Sequence, residues 1–289
     1  MSASVVIPTR DKAASLRLTL KCLSRQTVQA DEIIIVNDGC TDATPEVLEA
    51  AAAAGMPVRE VNRDGVGRAA ARNAGADQAN EEVIIFVDDD ILVPPGFIAA
   101  HVRAHVEGAV PVGEPAPRQP ALIHGPLHEL PGAARLVEAD PPDPYQAAVE
   151  GGFGRTVVNA LERLARQMAE GVAPPVAPWL LSVGANISVR RETWKQIGGF
   201  EEEFGVIWGC EDLEFGYRLV AAGACAQFAA DATGIHLSHA RPDRWAQHAA
   251  NMSRFTAQHP DPAVCALPEL LSAGASPHRY LDALRHKGE

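Results

Sequence analysis

Three short runs of almost unbroken β-branched residues constrain this chain most. They are Val5-Val6-Ile7, Ile33-Ile34-Ile35-Val36 and Val83 to Val87. Each is apolar at every position instead of every second one, so both faces of the strand must be covered. Between them lie helix-like segments: Ala13 to Arg25 with Leu16, Leu20 and Leu23 at helical spacing, an Ala-rich stretch from Thr44-Pro45 to about Ala54, and Gly67 to Ala79. Thr44-Pro45 reads as an N-cap followed by a first-turn proline. Pro57 to Val61 is a weaker strand pattern. Strand and helix alternating at this period predict an α/β fold, with a mostly parallel central sheet flanked by helices.

Polar residues follow each run: Thr9-Arg10-Asp11 after the first, Asn37-Asp38 after the second, and Asp88-Asp89-Asp90 after the third. Ligands of parallel sheets bind at the carboxyl ends of the strands, so these groups are expected to converge. Three adjacent carboxylates repel one another, which a divalent cation would relieve. Oxygen ligands suit Mg²⁺ or Mn²⁺, ions that commonly bridge to substrate phosphates. Asp38 is placed to accept from a uracil imide or a ribose hydroxyl, or to close an Asx-type turn while Asp42 or Thr44 caps the next helix. Gly65-Val66-Gly67-Arg68 opens a helix with small residues. There Arg68 or Arg72 could reach phosphate or pair with the acidic cluster.

The second half reads differently. Prolines crowd residues 110 to 144, a loop-rich region with a strand-like patch at Ala121-Leu122-Ile123. Arg155 to Glu170 is an amphipathic helix, Trp179 to Val189 reads as extended, and Arg191 to Ile197 and Asp212 to Ala222 are helical. A last helix from Asp243 to Gln258 carries Trp245, Ala249, Met252 and Phe255 on one stripe. The chain is expected to divide into an α/β first half (1–109), a loop-rich second half (110–260), and a polar tail (261–289) that frays. Glu211-Asp212 opens a helix, as capping carboxylates or as a general base. Trp208 beside them suits either a sugar face or the core. His236 and His239 can complete a metal site begun by the aspartates or form a local pair.

Formal net charge is −12, which argues against a nucleic-acid partner because phosphate binding relies on clustered Lys and Arg. Five cysteines without zinc-site spacing read as free thiols. With no signal-like start and no long apolar run, a cytoplasmic location is expected, peripheral membrane contact remaining compatible.

In order and spacing, these segments resemble family-2 glycosyltransferases of the GT-A, Rossmann-like fold. The residues are Val5-Val6-Ile7-Pro8-Thr9-Arg10, Ile33 to Asp42, Ala71-Arg72-Asn73-Ala74-Gly75 and Phe86-Val87-Asp88-Asp89-Asp90. Further on, Gly184-Ala185-Asn186-Ile187-Ser188, Gly198-Gly199-Phe200 and Trp208-Gly209-Cys210-Glu211-Asp212 resemble the acceptor-side segment of galactosyltransferases, and His239-Ala240-Arg241 their histidine segment. Cys210 stands where that pattern usually has glycine.

The resemblance implies a metal-dependent enzyme, with Mn²⁺ or Mg²⁺, moving a sugar from a nucleotide-sugar (a UDP-sugar favoured) to a saccharide, peptide or small-molecule hydroxyl with inversion. It places Pro8, Thr9, Arg10, Asp38, Arg68, Arg72, Asp88 and Asp89 on the donor. Asp90 falls on the metal, with His239 or His236 completing its ligands, and Asp89 is the alternative register. Asp212 becomes the catalytic base, and Trp208, Gly209 and Glu211 face the acceptor. A sugar nucleotidyltransferase would need a glycine-rich loop after the first strand, which Pro8-Thr9-Arg10-Asp11 lacks. A non-catalytic nucleotide-sugar-binding protein is disfavoured by the intact acidic groups.

Overall fold

The computed structural model describes residues 1–107, 121–204, 207–239 and 243–287. The proline-rich residues up to Pro120, and Ala240-Arg241 of the histidine segment, lie outside the described residues.

Ten strands are formed among the described residues: β1 (Ala3–Thr9), β2 (Glu32–Asp38), β3 (Val58–Arg63), β4 (Val83–Val87), β5 (Ile91–Leu92), β6 (Ala121–His124), β7 (Leu127–Leu130), β8 (Asn186–Arg190), β9 (Cys225–Phe228) and β10 (Gly234–Leu237). Seven make one sheet in the order β3-β2-β1-β4-β8-β6-β9. Its first four strands are parallel. The apolar runs predicted this half: every residue of β4 is fully buried, as are Val5, Val6 and Ile7 of β1. Each such side chain contributes roughly 1.5–3 kcal/mol by leaving water.

The sheet continues through β8, which runs antiparallel to both β4 and β6. Its side chains alternate. Ile187 and Val189 join the apolar layer with Phe86 and Trp194. Asn186 and Ser188 point to the other face, where they bond the buried His101 and His105 rings. A second, three-stranded sheet in the order β5-β10-β7 crosses the end of β4. It forms because β5 resumes immediately after the aspartates and pairs with β10, bringing the histidine strand to them.

The Arg68–Asp77 helix lies directly on β1 and β2 because Gly75 lets it: a Cβ there would stand 2.5 Å from Val6 Cγ1. Two residues earlier, the Asn73 amide exchanges two 2.9 Å hydrogen bonds with the backbone of Phe200. This pins the second half of the chain to the first.

Four expectations are corrected. Residues 179 to 189 are not extended throughout; a 3-10 turn spans Pro178–Leu181 before β8, as a proline at its start favours. Thr44 does not cap its helix; it is the first helical residue, and Asp42 accepts its N–H. The buried face of the Arg244–Gln258 helix carries His248, Asn251 and Phe255, while Trp245 is 42% exposed. The face turns because Asn251 reaches across to hold the 207–209 backbone. Finally, the segment after residue 260 folds. Val264, Leu267, Leu270 and Tyr280 are buried with Phe255 and Leu213 in a third core. Pro262, Pro268 and Pro277 divide it into short helical pieces, so no long periodic stripe announces it.

Candidate active site

Elements from both halves deliver the polar groups to the carboxyl ends of β1, β2 and β4. Thr9, the last residue of β1, donates from Oγ1 to Asp89 Oδ2 at 2.7 Å. Asp38, the last residue of β2, accepts from the backbone N–H groups of Val66 (2.7 Å) and Gly67 (3.0 Å). Its carboxylate fastens the loop that opens the Arg68–Asp77 helix, while each oxygen keeps a second lone pair.

Asp88, Asp89 and Asp90 diverge, each meeting a different partner. Asp88 takes Arg72 at 2.8 Å. Burial would raise the Asp88 pKa, but Arg72 and Arg68 outweigh it and hold it low. Asp89 is pushed up to about 7 by burial and by Asp90 alongside. Asp90 meets the Lys12 ammonium, His236 Nε2 and His239 Nδ1, both imidazoles at 3.4 Å. Burial works against its charge, yet His236 and Lys12 hold its pKa well below the carboxylate range.

His236 is itself oriented from behind, its Nδ1 lying 2.7 Å from Glu129 Oε2. Ser238 donates to the same oxygen. Burial favours neutral imidazole, but Asp90 and Glu129 prevail and lift the His236 pKa to about 10. The ligand atoms of Asp90, His236 and His239 lie within 4.8 Å of one another. Buried Asp90 Oδ1 has no hydrogen-bond partner. A carboxylate with two imidazoles is a donor set that Mn²⁺ accepts, so these residues fit a divalent ion.

Arg72 is the hinge between the two halves. Only 2% of its side chain is exposed, and its other terminal nitrogen bonds Glu211 Oε1 at 2.9 Å. Phe200 lies under the guanidinium, 5.4 Å from its centre. Of the two roles the sequence offers Arg72, pairing with the acidic cluster is the one formed here.

Asp212, next to Glu211 at the N-terminus of the Glu211–Ala221 helix, accepts N–H groups from Gly184 and Leu213 at 2.9 Å each. Burial and the adjacent Glu211 raise its pKa to about 6, against Arg72, which lowers it. Before this helix the backbone is left-handed at Cys210 (φ +69°) and positive at Gly209 (φ +112°). A Cβ at Gly209 would meet His248 at 2.7 Å, and the same ring packs on Trp208 at 4.9 Å. Positive φ explains why glycine is usual where Cys210 stands.

Two cavities flank these groups. One, of about 160 Å³, holds Thr9, Arg10, Lys12, Asp38 and the three aspartates, with Pro8 on its wall. The other, of about 380 Å³, holds Trp208, Glu129, Glu211, Asp212 and His236. Arg68 and Asp88 line both. All the site residues expected from sequence therefore gather here. Lys12, Glu129 and Asn251 were not among them. Lys12 offered a signal, a cation directly after Thr9-Arg10-Asp11; Asn251 offered a weaker one, an amide on a buried helix face; Glu129 offered none.

This fold, with its acidic strand ends and paired cavities, is that of GT-A glycosyltransferases. The chain belongs to glycosyl transferase family 2, whose model matches residues 4–148. A second model, described as the N-terminal domain of galactosyltransferase, matches residues 177–240. Validoxylamine A glucosyltransferase of Streptomyces hygroscopicus subsp. jinggangensis is 31% identical over 285 residues, covering 93% of this chain. The chain spans 63% of that relative's length. Among solved structures, GalNAc-T7 with UDP, GalNAc and Mn²⁺ superposes with a TM-score of 0.64 at 14% identity, covering 99% of this chain and 54% of its own. A mannosyltransferase from Pyrobaculum calidifontis with GDP-Man and Mn²⁺ gives 0.57 at 18% identity, covering 99% and 68%. Among the described residues no helix is long and apolar enough to cross a membrane.

Proposed function

We propose that this protein transfers a sugar from a nucleotide-sugar, a UDP-sugar in the favoured case, to an acceptor hydroxyl with inversion of the anomeric carbon. The observation that carries this reading is the shared wall of the two cavities. Arg68 and Asp88 border both, so a donor in the smaller one presents its reacting carbon to an acceptor in the larger. Orientation of this kind removes much of the entropic barrier to a bimolecular step.

In this reading Asp38 and Thr9 contact the nucleoside, and Arg10 and Arg68 the diphosphate; all four line the smaller cavity. Asp90, His236 and His239 would hold the metal, Mn²⁺ or Mg²⁺, which would offset the charge of the departing nucleoside diphosphate. Asp212 takes the proton of the attacking hydroxyl. Its pKa near 6 makes it a stronger base than an ordinary carboxylate while leaving it ionised at neutral pH. Arg72 fixes Glu211 so that the neighbouring carboxylates stay in register, and Trp208 offers a face to the acceptor ring.

UDP is bound in one solved neighbour and GDP-Man in the other, so the base is put to trial directly. Thermal shift with UDP and GDP, each with Mn²⁺ and with EDTA, is expected to show the largest stabilisation for UDP with Mn²⁺. Nucleotide-sugar hydrolysis under the same conditions then reports turnover. A protein that neither nucleotide stabilises would remove the donor assignment. Product-anomer NMR tests inversion, and retention would remove Asp212 as base.

A further inference from the structure

Lys12 takes an unusual place. It precedes the Ala13–Leu23 helix, an end where a cation is electrostatically disfavoured. Its ammonium turns away from that helix into the carboxylate and imidazole group, bonding Asp90 Oδ2. It stands 3.9 Å from Asp89 Oδ1 and 3.3 and 3.4 Å from the two ring nitrogens of His239. His236 Nε2 and His239 Nδ1 approach that same Asp90 oxygen. The ammonium thus sits at the point on which the three metal-fitting side chains converge, and it also lines the smaller cavity with Arg10 and Arg68.

We propose that Lys12 and a divalent cation compete for one position. The ammonium balances the charge of Asp90 until metal and nucleotide diphosphate arrive together. This inference rests on the metal assignment of the proposed function and adds to it an order of binding. An ammonium and a divalent ion cannot both contact Asp90 Oδ2 from within this group without strong repulsion. The lysine stem is flexible, and the nearest place for a displaced ammonium is the cavity assigned to the diphosphate. A diphosphate therefore draws Lys12 off Asp90 while supplying oxygens to the incoming ion. Metal without nucleotide has to displace the lysine uncompensated. Uptake of metal and donor is consequently cooperative in this chain.

The test compares the 289-residue protein with its Lys12→Met and Lys12→Arg variants, titrating Mn²⁺ by electron paramagnetic resonance, first without nucleotide and then with UDP or GDP. The wild type is expected to bind Mn²⁺ alone weakly and at least about tenfold more tightly with nucleotide. Lys12→Met is expected to bind Mn²⁺ alone about tenfold more tightly than the wild type, and to gain less from nucleotide. Lys12→Arg keeps the charge and should resemble the wild type. In thermal melts, Lys12→Met should fall below the wild type in EDTA and gain more than it from Mn²⁺. If that variant does not fold, Lys12→Gln gives the same comparison with a neutral polar head.

Equal Mn²⁺ affinity in the wild type and the neutral variant without nucleotide, with nucleotide-dependent binding intact, overturns the competition alone. A tightened Lys12→Arg also overturns it, since charge would not be the cause. Absence of Mn²⁺ binding in all of them, even with UDP and GDP, overturns the metal assignment together with the competition.

Discussion

Arg72 and Glu211 lie 139 positions apart in the chain, yet their side chains meet at 2.9 Å, both buried. The same guanidinium holds Asp88 at 2.8 Å. One cation thus ties the end of β4 to the start of the Glu211–Ala221 helix, and so joins the two cavities.

Replacing Arg72 with methionine is expected to destabilise the protein by about 3–5 kcal/mol, because two carboxylates lose the charge they were buried against. Lysine at 72 should recover part of this, since a point charge cannot span both acids as the planar fork does. Urea denaturation followed by circular dichroism measures the difference. A loss under about 1 kcal/mol would mean that Asp88 and Glu211 find water instead.

Asp212 gives a pH signature. As the base it must be ionised, so kcat/KM should rise through pH about 6 and level off above it. Asp212→Asn should lower transfer by roughly 10²–10⁴-fold while leaving the fold intact. Stability runs the other way. The folded pKa is raised from 3.8, so the protonated form is the one the fold prefers. This contribution is present at acidic pH and is lost as pH climbs from about 4 to about 6. Melting curves of the wild type and the asparagine variant across that window should separate accordingly.

Cys210 occupies a left-handed position at φ +69° with its thiol buried. Cys210→Gly relieves about 1 kcal/mol of backbone strain and forfeits a comparable amount of packing, so the melting temperature should scarcely move. Cys210→Val, β-branched at the same φ, should cost more than about 1–2 kcal/mol. Differential scanning calorimetry distinguishes the two, and similar losses for both would show that packing outweighs backbone geometry here.

The segment after 260 shares a core with Leu213 of the Glu211–Ala221 helix. Tyr280 is fully buried and donates its hydroxyl to the Ala263 carbonyl at 3.1 Å. Tyr280→Phe is expected to cost about 1 kcal/mol for the lost bond. Truncation at residue 260 removes Val264, Leu267, Leu270 and Tyr280 from the core shared with Leu213. Soluble expression and a cooperative melt should both be lost. A truncated chain that folds and transfers sugar would contradict this.

The parallel half of the sheet was legible because its information is local. Val5 to Ile7, Ile33 to Val36 and Val83 to Val87 are apolar on both faces, and the polar residues that follow have to emerge at the strand ends. Asp88–Asp90 and Asp38 were found for that reason, and Glu211-Asp212 from its place at a helix start and the order of the motifs. Lys12 and Glu129 were not, because their roles arise from partners distant in the chain: Asp90 and His239 for Lys12, His236 for Glu129. The three-stranded sheet escaped notice because two- to four-residue strands carry almost no periodicity.

By itself, then, the order of residues along the chain determined the fold class and which acidic groups would stand at strand ends, since both follow from burial patterns a few residues long. Tertiary structure decided which partner each carboxylate meets: Arg72 for Asp88 and Glu211, Thr9 for Asp89, and Lys12 with two histidines for Asp90. Those pairings depend on how distant elements pack, and a charge buried by that packing is held only by the partner brought alongside it.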